Sequence, residues 1–126
     1  MATGVVVKYA DGTDSGWLSF TGTNNQNDDT PFIGTIWYRK IGSMVNVVFN
    51  GITLRTELTG LNVTLLGANS LPKPKAIAQI TAGSRLQNGL MCIDTNGQML
   101  FYKFGSNSSF PTGRNINGNF TYFTAD

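Results

Sequence analysis

No histidine occurs in the 126 residues, and that removes the enzyme chemistry that depends on an imidazole. Without an imidazole there is no Ser-His-Asp or Cys-His arrangement, no His general acid–base step and no His-containing zinc site. Seven carboxylates remain: Asp11, Asp14, Asp28, Asp29, Glu57, Asp94 and Asp126. A glycosidase needs two of them at a set separation, one with a raised pKa. Asp11, Asp14, Asp28 and Asp29 fall in turn-like segments, where carboxylates cap and solvate, and no pair stands out. Asp28-Asp29 lacks the spaced oxygen ligands and the glycine of an EF-hand loop. The single cysteine, Cys92, sits among Leu90, Met91 and Ile93 with no cationic neighbour in sequence. That is the setting of a small hydrophobe rather than a reactive thiol, and one cysteine builds no intrachain disulfide. Walker, dinucleotide and GxSxG motifs are also missing. The expectation is a non-enzymatic chain with no metal and no cofactor.

What the residue types do suit is carbohydrate recognition. A pyranose offers flat C–H faces to aromatic rings, and hydroxyls to amide, carboxylate and guanidinium groups. The ring candidates are Trp17, Trp37, Tyr102 and Tyr122. The polar ones are Asn46, Asn50, Arg85, Asp94, Asn107, Arg114 and Asn115. Two groupings follow: Trp37 as a stacking platform with Arg39, Asn46 and Asn50, and Asp94 with Arg85, Asn107 and Arg114 on distal loops. Each residue also has a plainer role. Buried packing is the commoner use of tryptophan, and Asn in turn clusters such as Asn107 and Asn115 tolerates αL and bonds its own backbone. Arg114 suits a subunit contact as well as a phosphate.

Strands must position these groups, because helical periodicity is hard to find. Fifteen glycines and many Asn and Thr punctuate short β-branched and aromatic runs. Strands are expected near 4–9, 15–20, 33–41, 44–52, 61–66, 76–82, 88–94, 98–104 and 119–124. That pattern predicts an all-β antiparallel β-sandwich or barrel-like head of about eight short strands, with a short N-terminal hairpin. Residues 1–30 read as that hairpin, turning at Asp11-Gly12, with a polar loop (Gly22–Pro31). Residues 31–126 read as the body of one domain.

Two hairpins are legible in detail. Gly42-Ser43 suits a type II′ turn, which sets Ile41 opposite Met44 and Trp37 opposite Val48. One face then carries Ile36, Tyr38, Val45, Val47 and Phe49, with Lys40 near the turn. The other carries Thr35, Trp37, Arg39, Asn46, Val48 and Asn50. Asn96-Gly97 suits a type I′ turn, with Ile93 facing Leu100 and Met91 facing Tyr102. Met91, Ile93, Leu100 and Tyr102, extended by Phe104, form the expected core face. The opposite face (Leu90, Cys92, Asp94, Met99, Phe101, Lys103) is apolar enough to meet another sheet or another subunit.

Net charge is +2 with scattered Lys and Arg, so the basic stripe of a nucleic-acid binder is missing. No apolar run approaches the roughly 18–20 residues that span a bilayer, and residues 1–10 resemble neither a signal nor a transit peptide.

The segment GTIWYRKIGSMVNVVFNGI (Gly34–Ile52) resembles the strand–turn–strand that opens C-terminal host-recognition modules of Gram-positive siphophage tail proteins, with a G-x-x-x-x-R-K-x-G hairpin. A Leu-Pro turn follows (Leu71–Pro74), then an Asn-Gly hairpin (Ile93–Leu100) and a polar-aromatic last strand (Asn119–Thr124). The resemblance covers residues 31–126 and is similar to the receptor-binding heads of lactococcal phages. It implies a homotrimer on the virion tail tip or baseplate, extracellular on release, beside other tail proteins. It also implies non-covalent binding of a host cell-wall saccharide or glycerol-phosphate polymer. A structural tail module without its own ligand, or a glycan-degrading tail enzyme, are the alternatives.

Overall fold

Apolar and β-branched side chains at every second position favour extended backbone with one face turned from water. The computed structural model describes residues 14–25, 30–105 and 109–125. Its eight strands are β1 (Leu18–Gly22), β2 (Phe32–Ile41), β3 (Met44–Leu54), β4 (Asn62–Leu66), β5 (Ala78–Gly83), β6 (Asn88–Ile93), β7 (Met99–Lys103) and β8 (Ile116–Phe123). All pairings are antiparallel, and no helix occurs among the described residues. The expected strand 4–9, the Asp11-Gly12 turn, Asp28-Asp29, Asn107 and Asp126 lie outside the described residues.

One curled sheet, a half-barrel, holds the strands in the order β1-β2-β3-β8-β5-β6-β7-β4. It divides into two four-stranded halves that meet at one paired position, Gly83 with Asn117. The all-β, sandwich-or-barrel expectation is met in this form. β1 pairs with β2 over five positions, from Leu18–Tyr38 to Gly22–Gly34, so among the described residues it forms one edge of the sheet. The Gly22–Pro31 loop therefore closes the β1–β2 connection. Arg55 anchors it: the backbone N–H donates to the Pro31 carbonyl (3.0 Å), Nε to the Thr30 carbonyl (2.7 Å), and Nη2 to the Thr23 carbonyl.

The first hairpin has the expected register, with Ile41 opposite Met44 and Trp37 opposite Val48. Gly42 takes φ +59° and Ser43 is not in the left-handed region, as a type II′ turn requires. Ile36, Val45, Val47 and Phe49 are buried on the inner face as expected. Tyr38 is partly buried and stacks on Phe20 with centroids 5.7 Å apart.

The second hairpin corrects its expected register by one residue. Ile93 faces Met99, Cys92 faces Leu100, Met91 faces Phe101 and Leu90 faces Tyr102. The cause lies in the turn. The Gly97 N–H donates to the Asp94 carbonyl (2.9 Å), the Asp94 N–H to the Gln98 carbonyl (3.0 Å), and only Gly97 has positive φ (+85°). That is a three-residue loop with a glycine bulge, not the two-residue type I′ turn. Because side chains alternate, the slip exchanges the faces of β7, while Met91 and Ile93 of β6 keep the core face expected for them. Met91, Ile93, Met99, Phe101 and Lys103 turn inward and are buried. Leu90, Cys92, Leu100 and Tyr102 turn outward.

Both halves contribute to one core. Phe49 meets Phe120 edge-to-face (6.4 Å, 86°), and Phe101 meets Phe110 likewise (4.9 Å, 80°). Phe49 lies over Gly118, where an added Cβ would stand 2.4 Å from the ring. Tyr122, buried beside them, donates its hydroxyl to the Pro72 carbonyl (2.7 Å) and pins the Leu71–Pro74 turn.

Gly97 is where backbone conformation and space both exclude a side chain. A Cβ there would come 2.4 Å from the Leu71 carbonyl oxygen, and the Leu71 N–H donates to the Gly97 carbonyl (3.0 Å). Gly97→Ala should lower unfolding free energy by about 1–3 kcal/mol in urea denaturation. An unchanged midpoint would refute this account of the turn.

Candidate functional site

On the outer face of the β1-β2-β3-β8 half, the registers align side chains in rows. One row runs Ser19, Trp37, Val48, Asn119. The next runs Trp17, Arg39, Asn46, Thr121: Arg39 faces Asn46 and Asn46 faces Thr121, while Trp17 continues β1 by one residue beyond the Leu18–Tyr38 pair. Trp17 and Trp37 are thus diagonal neighbours on adjacent strands, within reach of each other's rings. With Val48 they line an open apolar depression of about 380 Å³. Trp17 is 48% exposed and Trp37 44%, far more than packing residues of a sealed core. The expected grouping of Trp37, Arg39, Asn46 and Asn50 does share one face. Asn50 is exposed at its far side, next to Gly51, whose N–H donates to Asn117 Oδ1 (2.6 Å).

Arg39 has a role that the sequence did not disclose. Its Nε donates to Asp14 Oδ1 (2.9 Å) and its Nη2 to Asp14 Oδ2, a two-pronged ion pair. The guanidinium carbon also lies 6.0 Å from the centre of the Trp17 ring, within cation–π range. Asp14 accepts the Gly16 N–H as well (2.9 Å), and Ser15 and Lys40 exchange hydrogen bonds beside it. Residues 14–17 are therefore laced onto β2, and Arg39 positions Trp17. The Arg39 hydrogen bond, then the Gly16 N–H, hold the Asp14 carboxyl at about 2, below its ordinary 3.8.

Asn46 is tied to β8. Its Nδ2 donates to Asn119 Oδ1 (2.9 Å), the Phe120 carbonyl (3.1 Å) and Thr121 Oγ1 (3.2 Å). These amides border the tryptophan depression.

The second expected grouping does not assemble. Arg85 is exposed in the β5–β6 turn, and Arg114 is near it: Ser84 and Leu86 line a shallow depression with Pro111–Asn115, Arg114 among them. Arg114 Nη1 donates to Gln87 Oε1 (2.9 Å), whose Nε2 donates to the Ser109 carbonyl (2.9 Å), so this arginine braces a loop. Asp94 sits at the opposite end of β6, a six-residue strand of about 20 Å. There it accepts from Gln98 Nε2 (2.8 Å) inside its own turn. Asn107 lies outside the described residues.

Of the ring candidates, Tyr122 is a core residue, its phenol pushed well above its ordinary range by burial and by Tyr38. Tyr102 belongs with Leu90, Cys92 and Leu100 to the outward face of β6 and β7. Cys92 there is buried, its thiol pushed up by burial and then by Asp94. Sequence reasoning missed Asn119 and Thr121. Their signal was the alternation Asn117, Asn119, Thr121 in the last strand, legible once β8 is known to lie beside β3.

The ion pair gives the shelf an acid limit. Because the Asp14 carboxyl is depressed in the fold, its contribution is complete above about 3.8 and is lost as pH falls toward 2. Tryptophan fluorescence should therefore stay flat from neutral pH to about 4 and change only below it. In Asp14→Asn that low-pH step should vanish. A step near neutral pH would contradict the assignment.

No protein-family model matches this chain, and no curated protein sequence matches it either.

Proposed function

We propose that the chain is a non-enzymatic receptor-binding head of a phage tail, attaching through its outer Trp17–Trp37 shelf to saccharide on the host cell wall. The observation that carries the binding part is the shelf itself: two large rings, each about half exposed, one on β2 and one just before β1, with amides in the neighbouring rows. Solvated strand faces do not ordinarily hold paired tryptophans, and rings beside polar forks are what sugar faces and hydroxyls need. The phage part rests on the Gly34–Ile52 hairpin and the punctuation that follows it.

The described carboxylates favour binding over catalysis. Asp14 is committed to Arg39 and Asp94 to Gln98, while Glu57 is exposed on the loop after β3. On the outward face of β6 and β7, Cys92 and Leu100 are buried within the chain and Leu90 and Tyr102 are partly exposed, and a homotrimer would add avidity to weak single sites. Virion location, at the tail tip or baseplate, belongs to the same proposal.

Trp37→Ala should weaken adsorption to susceptible Gram-positive cells roughly tenfold or more, with unchanged oligomer size by light scattering. Trp17→Ala should behave similarly. Adsorption indifferent to both substitutions would overturn the shelf as the receptor site. Loss of the oligomer in either would make the shelf a subunit seam.

A further inference from the structure

The proposed shelf can be read more narrowly from its charges and from the direction of its amides. Among the described residues of the outer rows on β1, β2, β3 and β8, Arg39 is the one cation. Its bidentate partner Asp14 cancels that charge, and both prongs face the carboxylate, not the depression. Among the described residues, the depression is lined by Trp17, Trp37 and Val48. A phosphate set here would leave its bulk hydration for an apolar floor and an already neutralised guanidinium, a poor exchange.

The amides are fixed in direction by chemistry. The Phe120 carbonyl can only accept, so Asn46 must turn its NH2 toward β8. Asn119, receiving that NH2, must offer its carbonyl oxygen, which directs its own NH2 away from Asn46. The carbonyl of Asn46 is likewise directed away from β8. One amide donor and one amide acceptor thus border the ring platform. Asn119 lies two strand spacings from Trp37, about 9.6 Å, with Val48 between them. That span matches one pyranose stacked by its C–H face, with its hydroxyl edge over the amides.

We propose that the shelf takes a neutral pyranoside rather than a glycerol-phosphate polymer, with the Asn119 NH2 as a donor and the Asn46 carbonyl as a separate acceptor for its hydroxyls. This rests on the saccharide-shelf reading above. Asp14 acts as a specificity determinant, because it holds the arginine in a neutral pair.

The test is equilibrium binding of the whole chain to oligomers of glucose, galactose, rhamnose and N-acetylglucosamine, and to a glycerol-phosphate oligomer, at low and high salt. At least one neutral probe should bind, with little salt dependence. Asn119→Asp keeps an acceptor for Asn46 and loses the donor, so it should weaken that binding roughly three- to tenfold. Asp14→Asn should add salt-sensitive binding of the glycerol-phosphate probe. The proposal is overturned if the unaltered chain binds the glycerol-phosphate probe in a salt-sensitive way, or if Asn119→Asp binds the neutral probe unchanged while Trp37→Ala does not. If no probe binds a chain whose β-sheet circular dichroism is intact, or if Trp37→Ala leaves binding untouched, the shelf reading itself falls with it.

Discussion

The two halves of the sheet are joined by packing rather than by a hydrogen-bond ladder. β5 and β8 pair at Gly83 and Asn117 and at no other strand position among the described residues. At the far end, the Lys75 N–H donates to the Phe123 carbonyl (2.9 Å) and the Ala125 N–H to the Lys73 carbonyl (2.9 Å). Between those pins the strands part, and the cleft is lined by Ala78 and Ile80 on one side and Phe120 and Tyr122 on the other. What keeps the halves together is one apolar cluster that draws on both. Phe49, Phe120 and Ile116 come from the first half, and Met91, Met99 and Phe101 from the second. Area buried from water is the non-directional force that can bridge such a gap.

That arrangement dictates where a binding surface can be. The inner faces of both halves are consumed by the core, so the outer faces carry whatever the protein presents to other molecules. The halves present different chemistry there. The β1-β2-β3-β8 half shows paired rings among amides, while on β6 and β7 Cys92 and Leu100 are buried and Leu90 and Tyr102 partly exposed.

Local turn chemistry decided how much of this was legible. Gly42-Ser43 admits one short hairpin geometry, so the register of β2 and β3, and with it the shared face of Trp37, Arg39 and Asn46, followed from sequence. Asn96-Gly97 is compatible with two geometries that differ by one residue in register. Hydrophobic patterning could not choose between them, because Leu100 and Tyr102 are as apolar as Met99 and Phe101. The Asn69–Leu71 segment supplies what the hairpin lacks: the Asn69 N–H donates to the Asn96 carbonyl (2.8 Å), and the Leu71 N–H to that of Gly97. The partners of Arg39 were hidden for a related reason. Asp14 is 25 residues away, and only the pairing of β1 with β2 makes it a neighbour. Asp94 and Arg85 look close in sequence, yet a strand lies between them and sends them to opposite ends of the sheet.

Placing a site on strands rather than on loops has an energetic consequence. Side-chain freedom lost on binding costs roughly 0.5–1.5 kcal/mol for each flexible group that must be ordered. Trp37 is held between Ser19 and Val48 by the strands either side, and Trp17 by the Arg39–Asp14 clasp, so little ordering would remain to be done in the proposed binding. The same alternation separates specificity from stability. An outward position such as Asn119 or Val48 can change without altering the volume of the core, because its immediate chain neighbours, not it, face inward. Side chains along the outer rows can therefore change while Phe49, Phe120 and Tyr122 keep the halves closed. The exception is Asp14: although it lies on the surface, its loss would remove the two-pronged contact that holds Arg39 beside Trp17.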